Sequence, residues 1–154
     1  MKLKNNTVFD CSIIDMSKVH RETGNITVVE NGPNVPFEVK RVYYLYDVPG
    51  GEVRGGHAHY DLEQYIIAAS GSFEVILDDG VNRKRVFLNR PNLALHVVPG
   101  LWRYLDNFSS GSICMVLASN VYEAKDYIRN YNEFLKLRKW NISVMAYLMC
   151  NLKT

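Results

Sequence analysis

Cysteine is scarce in this chain and badly placed for structural work. Cys11, Cys114 and Cys150 are isolated, odd in number and without CxxC spacing. That excludes a disulfide framework and fits a reducing compartment. Long apolar runs are also missing, so no transmembrane helix is read. The N-terminus, Met1-Lys-Leu-Lys-Asn-Asn-Thr7, starts basic, but no apolar segment follows it and no signal peptide is read. A cytoplasmic protein without membrane contact is expected. Charge of one sign is not in excess. The formal net charge is +2, and the basic residues are scattered apart from Arg83-Lys-Arg85 and the stretch 136–139. No field of the kind that holds nucleic acid is built. Repeats and low-complexity tracts are absent.

What is present is enough for one domain with a real core. The chain has 154 residues, 47% hydrophobic and 22% charged, which is the balance of a soluble globular protein rather than a disordered one. Short β-like runs dominate, and strands are expected over 25–30, 39–46, 56–59, 63–70, 72–78, 84–88, 94–98, 103–107 and 113–119. Asn31-Gly-Pro33, Pro49-Gly-Gly51, Ser70-Gly71, Asp78-Asp-Gly80, Arg90-Pro91 and Pro99-Gly100 punctuate them. Asp79-Gly80 is a strong hairpin signal, because such pairs take the positive φ angles of a tight turn. Many short strands without interleaved helices predict an all-β sandwich or barrel. From Glu123 to Lys139 the apolar residues move to near-helical spacing, predicting one or two closing helices. The tail over 140–154 carries Ile142, Val144, Met145, Tyr147, Leu148 and Met149, and a helix packed on the barrel or on a partner subunit is expected there. The domain is thus drawn as 1–139 with a helical tail over 140–154.

The most informative stretch is Gly51-Glu-Val-Arg54-Gly-Gly-His57-Ala-His59-Tyr-Asp-Leu-Glu63. Side chains alternate along a strand, so His57 and His59 share a face. One histidine on an apolar strand is more often a core residue than a functional one. A pair with a glycine-rich approach and nearby arginines points instead to metal binding or proton transfer.

The spacing of Gly51, His57, His59, Glu63 and Gly71 resembles the first metal-binding motif of the cupin superfamily, with one residue more than usual in its last gap. The second motif of that superfamily has a Pro-Gly turn, a third histidine and an asparagine. Here it reads Pro99-Gly-Leu-Trp102-Arg103-Tyr-Leu-Asp-Asn107, with Arg103 in the histidine's place. Arginine stays protonated, has no lone pair to give and repels a divalent cation. No metal is therefore expected. His96 precedes the turn and is expected to be a core or cavity histidine. Without a metal, His57 and His59 become acid/base candidates, and an inward Arg103 supplies fixed positive charge for an anionic substrate or an enolate-like intermediate.

Other binding candidates follow from residue type. Arg54 has the fork that suits phosphate oxygens, although a solvated arginine is an equal reading. Along Arg41-Val-Tyr43-Tyr44-Leu-Tyr46, Tyr44 and Tyr46 share one face with Val42, while Arg41, Tyr43 and Leu45 share the other. One of these tyrosines can hydrogen-bond a sugar or diphosphate, although strand tyrosines more often just pack. Glu63-Gln64 is expected to hydrogen-bond within the cavity, and Asp106 or Asn107 to orient a histidine or the ligand.

An ordered set of segments then resembles one family. Arg41-Val-Tyr-Tyr-Leu-Tyr-Asp47, Arg54-Gly-Gly-His-Ala-His59, Leu62-Glu-Gln64, Leu88-Asn-Arg-Pro91, Pro99-Gly-Leu-Trp-Arg103, Val116-Leu-Ala-Ser119 and Tyr127-Ile-Arg-Asn-Tyr131 are similar to the dTDP-sugar 3,4-ketoisomerases, the WxcM-like cupins. The match covers about residues 20–135. The resemblance implies a jelly-roll β-barrel, usually a homodimer with exchanged N-terminal strands, working without metal or redox cofactor. It implies dTDP-4-keto-6-deoxyglucose as substrate and a product with its ketone at C3. The family's catalytic histidines fall on His57, taken as the base at C3, and His59, which assists reprotonation at C4. The substrate-binding set would be Arg41, Tyr44, Tyr46, Arg54, Gln64, Trp102, Arg103 and Asn107. The residue after the motif tryptophan varies with the C4 configuration, and Arg103 leans toward the gluco product. The rival readings are a 3,5-epimerase-like cupin, a non-catalytic sugar-nucleotide-binding cupin and a metal-dependent oxygenase.

Overall fold

The computed structural model describes residues 1–139; the predicted tail over 140–154 lies outside them. The strands are β1 (Ser12–Asp15), β2 (Lys18–Arg21), β3 (Gly24–Thr27), β4 (Arg41–Leu45), β5 (Arg54–His59), β6 (Gln64–Ser70), β7 (Phe73–Asp78), β8 (Arg83–Leu88), β9 (Leu93–Val97), β10 (Trp102–Asp106), β11 (Ile113–Ala118) and β12 (Tyr127–Ile128). A helix, α1, starts at residue 131 and is described to 139. Among the described residues no helix is long and apolar enough to cross a membrane.

The topology is a ribbon folded on itself. β7 pairs with β8, β6 with β9, β5 with β10 and β4 with β11, all antiparallel. The tip is the Asp79-Gly80 turn, where Gly80 has φ 87° and Asp79 Oδ1 accepts the backbone N–H groups of Val81 and Asn82 at 2.9 and 2.7 Å. Successive pairs of the ribbon fall into alternate sheets, which is the jelly-roll arrangement. One sheet runs β1-β9-β6-β11-β4 and the other β12-β5-β10-β7-β8. The two layers face each other as open sheets rather than closing into one barrel.

The apolar run is continuous over 65–68 because β6 is covered on both faces there. Ile66 and Ala68 point between the sheets, into a core with Phe73, Leu77, Leu95 and Val116. Tyr65 and Ile67 point outward and are covered by Met16 and Val35, with Val29, Phe37 and Val39 around them. On the outside of the other sheet, Ala58 and Ile128 are covered by Leu3 and by Phe134 of α1.

Two expectations need correction. The strand drawn over 25–30 stops at Thr27 and, among the described residues, pairs only with the unforeseen β2, as a separate two-stranded hairpin. The helical pattern from Glu123 is not helical at its start. Residues 124–126 form one 3-10 turn, then β12 pairs with β5, and only then does the single helix of the described residues begin. Pairing with an open strand edge outweighs weak local periodicity there.

The N-terminal segment is tied down through Arg138, whose Nε and Nη1 donate to the carbonyls of Asp79 and Lys4 at 2.6 and 3.2 Å. It passes so close to Gly100 that a Cβ there would collide with the Lys4 carbonyl, and Gly100 has φ 87°. Gly100→Ala is expected to cost at least about 1–3 kcal/mol from backbone strain alone. A lower urea midpoint at unchanged m-value is the measurement that checks it.

Candidate active site

Between the sheets, away from the Phe73–Leu88 end of the core, lies a cavity of about 290 Å³ whose walls include Tyr43, His57, Ile66, Arg103 and Val116. β5 and β10 bring its polar groups together. His57 and Arg103 are directly opposite each other across this antiparallel pair, so their side chains stand side by side. A register shift follows between Arg103 and Leu105.

The two histidines of β5 touch. His57 Nε2 and His59 Nε2 are 3.1 Å apart, with the rings almost perpendicular at 89°. His59 Nδ1 lies 2.9 Å from Asp126 Oδ2, and the other oxygen of Asp126 accepts the Asp61 N–H at 2.9 Å. Tyr127, paired with His59 across β12, packs on both imidazoles at centroid distances of 4.9 and 4.4 Å. Its hydroxyl accepts from Arg41 Nη2 at 3.3 Å.

Arg103 is 3% exposed and is held by neutral acceptors. Nε and Nη2 both donate to Gln64 Oε1, at 3.0 and 2.8 Å, and Nη1 donates to the Gly55 carbonyl at 2.9 Å. Gln64 Nε2 in turn donates to the Tyr43 hydroxyl at 2.8 Å. Gly55 is required here: its φ is 71°, and a Cβ would lie 2.7 Å from Arg103 Nη1. A guanidinium carries five N–H groups, so the three bonds leave two available to a ligand.

These surroundings keep the imidazoles neutral. Burial, then the Arg103 charge, then His59 push His57 down to about 2. Burial also lowers His59, to about 4, against the opposing effect of the hydrogen bond it donates to Asp126. Burial works to raise the Asp126 carboxyl, but His59 and the backbone N–H groups of Asp61 and Leu62 outweigh it and hold the group below its usual range. At neutral pH the site therefore holds an uncharged histidine pair between a fixed cation and a fixed anion.

The structure gathers His57, His59, Gln64 and Arg103, with Arg54 also lining the cavity. Arg41 stands beside Tyr127. Several sequence expectations are placed elsewhere. Tyr44 lines the cavity but is 56% exposed, and Tyr46 is 65% exposed and outside it; the inward tyrosine of β4 is Tyr43. Trp102 is on the opposite face of β10 from Arg103 and packs on Tyr131 and Phe134. Asn107 has a left-handed backbone at φ 52°, bonds Glu74 and does not line the cavity. Glu63 points away from the cavity and pairs with His96 at 2.8 Å on the outer face of the other sheet, where Tyr65 packs on the His96 ring. Asp126 and Tyr127 were missed, and Tyr43, one of the three tyrosines considered, was left out of the substrate-binding set. The signal for Asp126 was its place in the Tyr127-Ile-Arg-Asn-Tyr131 neighbourhood, which helical spacing absorbed.

A jelly roll with an apolar core at one end and a histidine–arginine cavity at the other defines a cupin-type small-molecule site. A family model described as FdtA, WxcM-like C-terminal, matches residues 9–139, and the chain belongs to that family. The TDP-4-oxo-6-deoxy-alpha-D-glucose-3,4-oxoisomerase of Aneurinibacillus thermoaerophilus is 43% identical over 124 residues, covering 80% of this chain and 89% of that protein. A 3,4-ketoisomerase from Helicobacter canadensis superposes with a TM-score of 0.82 at 42% identity, covering 84% of this chain and 98% of the other. The WlaRB TDP-quinovose 3,4-ketoisomerase from Campylobacter jejuni gives 0.79 at 44%, covering 84% and 99%. The homologues are thus TDP-sugar 3,4-ketoisomerases with the same β-fold.

The low histidine values have a consequence for stability. An unfolded histidine takes up its proton near 6.5, whereas folded His59 waits until about 4 and folded His57 until about 2. Between those limits the unfolded chain binds more protons, so stability is complete above 6.5 and falls as pH drops toward 4. Urea unfolding over that window should show the fall, and His57→Asn should make it shallower.

Proposed function

We propose that the chain is a sugar-nucleotide 3,4-ketoisomerase that converts dTDP-4-keto-6-deoxy-D-glucose to the dTDP-3-keto-6-deoxyhexose, for the making of deoxyamino sugars. The observation that carries this reading is one cavity holding a neutral imidazole, His57, beside a buried guanidinium, Arg103, that only neutral groups hold among the described residues. Moving a ketone by one carbon needs a base for the C–H next to the carbonyl and positive charge for the enolate oxygen. It needs no hydride carrier, and no metal or cofactor is invoked.

In the proposed reaction His57 takes the C3 proton, and the electrons of that C–H bond form the C3–C4 double bond as charge moves to O4. Arg103 stabilises that charge through its two unshared N–H groups. The hydroxyl proton passes from O3 to O4, C4 receives the proton that His59 hands back by way of His57, and the ketone is left at C3. Substrate and product are isomers, so atoms and electrons balance without a co-reactant. A cavity of about 290 Å³ is at the small end for ligand clefts, which suits the sugar ring inside and the nucleotide outside. Arg54 at the cavity and Arg41 beside Tyr127 are proposed for the diphosphate, with Gln64 and the rim residue Tyr44 near the sugar. With Arg103 after Trp102, the gluco configuration at C4 is proposed.

The test is proton NMR of dTDP-4-keto-6-deoxyglucose incubated with the protein in D2O. A ketone at C3 with deuterium at C4 is expected, and the same reaction run in H2O should show the C4 coupling of the gluco series. Label at C5 with the ketone still at C4 would make it an epimerase instead, and tight binding without exchange a non-catalytic binder. His57→Asn is expected to lower the rate of C3 exchange by about 10²–10⁴, with dTDP binding retained because arginines carry it.

We also propose a cytoplasmic homodimer with exchanged N-terminal strands. Among the described residues the β2–β3 hairpin pairs with no other strand and leaves Val19 and Ile26 49% and 62% exposed. Beside it, a groove of about 710 Å³ runs along Val29, Val39, Val42, Met115 and Leu117 on the outer face of the β4–β11 sheet. Apolar surface of that kind on a small β-domain suits a second copy. Cytoplasmic placement rests on Cys11 and Cys114, which are buried free thiols. Light scattering at micromolar concentration should give twice the chain mass, and a fully active monomer would overturn the dimer.

A further inference from the structure

We infer that Asp126 is a positioning residue that fixes the tautomers of both histidines and so makes His57 and His59 a single proton-carrying unit. The inference deepens the ketoisomerase reading and rests on it for its kinetic consequence, but its geometric basis is independent of any substrate.

Asp126 is 7% exposed, and as a carboxylate it can only accept. Its Oδ1 is occupied by the Asp61 N–H at 2.9 Å, and its Oδ2 faces His59 Nδ1 at 2.9 Å. His59 must therefore carry its hydrogen on Nδ1, which leaves a lone pair on Nε2. That lone pair faces His57 Nε2 at 3.1 Å, so His57 must donate from Nε2. The free lone pair of His57 is then on Nδ1. One carboxylate, acting through His59, decides which nitrogen of His57 is the base.

The same chain gives the captured proton a path. When the C3–H bond breaks, an N–H bond forms at His57 Nδ1. The His57 Nε2–H bond then breaks as the His59 Nε2–H bond forms. His57 is neutral again, and the positive charge has moved from beside Arg103 to beside Asp126. The reverse sequence returns a proton to the neighbouring carbon. Electrostatics favour the transfer, because His57 stands beside a cation and His59 beside an anion.

Asp126→Asn tests this sharply because it keeps the shape. The asparagine oxygen stays with the Asp61 N–H, which needs an acceptor, so the amide NH2 is turned toward His59 Nδ1. His59 must then accept at Nδ1 and donate from Nε2, which forces His57 to accept at Nε2 and carry its hydrogen on Nδ1. Two-dimensional NMR of protein labelled with 15N-histidine reads these states directly. In the wild-type protein at neutral pH the expected pattern is His59 Nδ1–H with His57 Nε2–H, and in Asp126→Asn both are reversed. The variant should lose about 10²–10⁴ in kcat, as a wrong-tautomer base does, with KM little changed because no binding contact is removed. A purely structural role would lower the unfolding midpoint and leave the tautomers as they are. Wild-type spectra with His57 protonated on Nδ1, or an Asp126→Asn protein that keeps the wild-type tautomers or full kcat, would overturn the inference. The wild-type spectrum needs neither the variant nor a substrate, so it decides the assignment even if ketoisomerase turnover is not found.

Discussion

The buried guanidinium of Arg103 is the constraint around which the molecule is arranged. Removing a cation from water costs several kcal/mol unless its N–H groups are met. Here they are met by the Gly55 carbonyl on one neighbouring strand and by Gln64 on the facing sheet. The bridge continues through Gln64 to Tyr43 on β4. A polar link thus joins the two layers at the end where apolar side chains fill the space elsewhere, and it keeps that end open as a cavity. It also dictates sequence: Gly55 has to be glycine because both its positive φ and the guanidinium beside it exclude a side chain.

The same charge sets the character of the histidines. Arg103 has no carboxylate partner among the described residues, so its field acts on its neighbours. It reinforces burial in keeping His57 unprotonated. His59 feels the opposing influence of Asp126, and its value is depressed less. Two imidazoles of identical chemistry are thereby given different proton affinities by what stands on either side of them, which is how a fold separates acid and base roles. An anionic oxygen entering the cavity would partly cancel the Arg103 field and raise the basicity of His57, so ligand charge and base strength are linked.

Much of this was legible in the sequence. Alternation along β5 puts His57 and His59 on one face, and the Pro99-Gly100 turn aligns Arg103 with them, because both signals are local. The strands from β4 to β11 followed for the same reason. What failed were decisions made by partners far away in the chain. Along β4 and into Tyr46 just beyond it, the face carrying Val42, Tyr44 and Tyr46 is as apolar as the face carrying Tyr43, and the Gln64 bond shows which points inward. Trp102 has the composition of a cavity residue, but α1 offers Tyr131 and Phe134 on the other face. Asp126 lay inside apparent helical spacing, and the edge of β5 pulled that segment into a strand.

That last displacement matters most for function. The ribbon that forms the jelly roll ends at β11, and it already contains His57, His59, Gln64 and Arg103. Asp126 and Tyr127 come from the segment that follows, pinned by backbone bonds such as Tyr60 N–H to the Asp126 carbonyl at 3.1 Å. Phe134 of α1, packed with Leu3, Ala58 and Ile128, then fixes that segment from outside. The scaffold therefore positions the reacting groups, while the residues after it orient them. A histidine whose lone pair is wrongly placed is no base, however well its ring is buried, so the closing segment belongs to the site as much as the strands do.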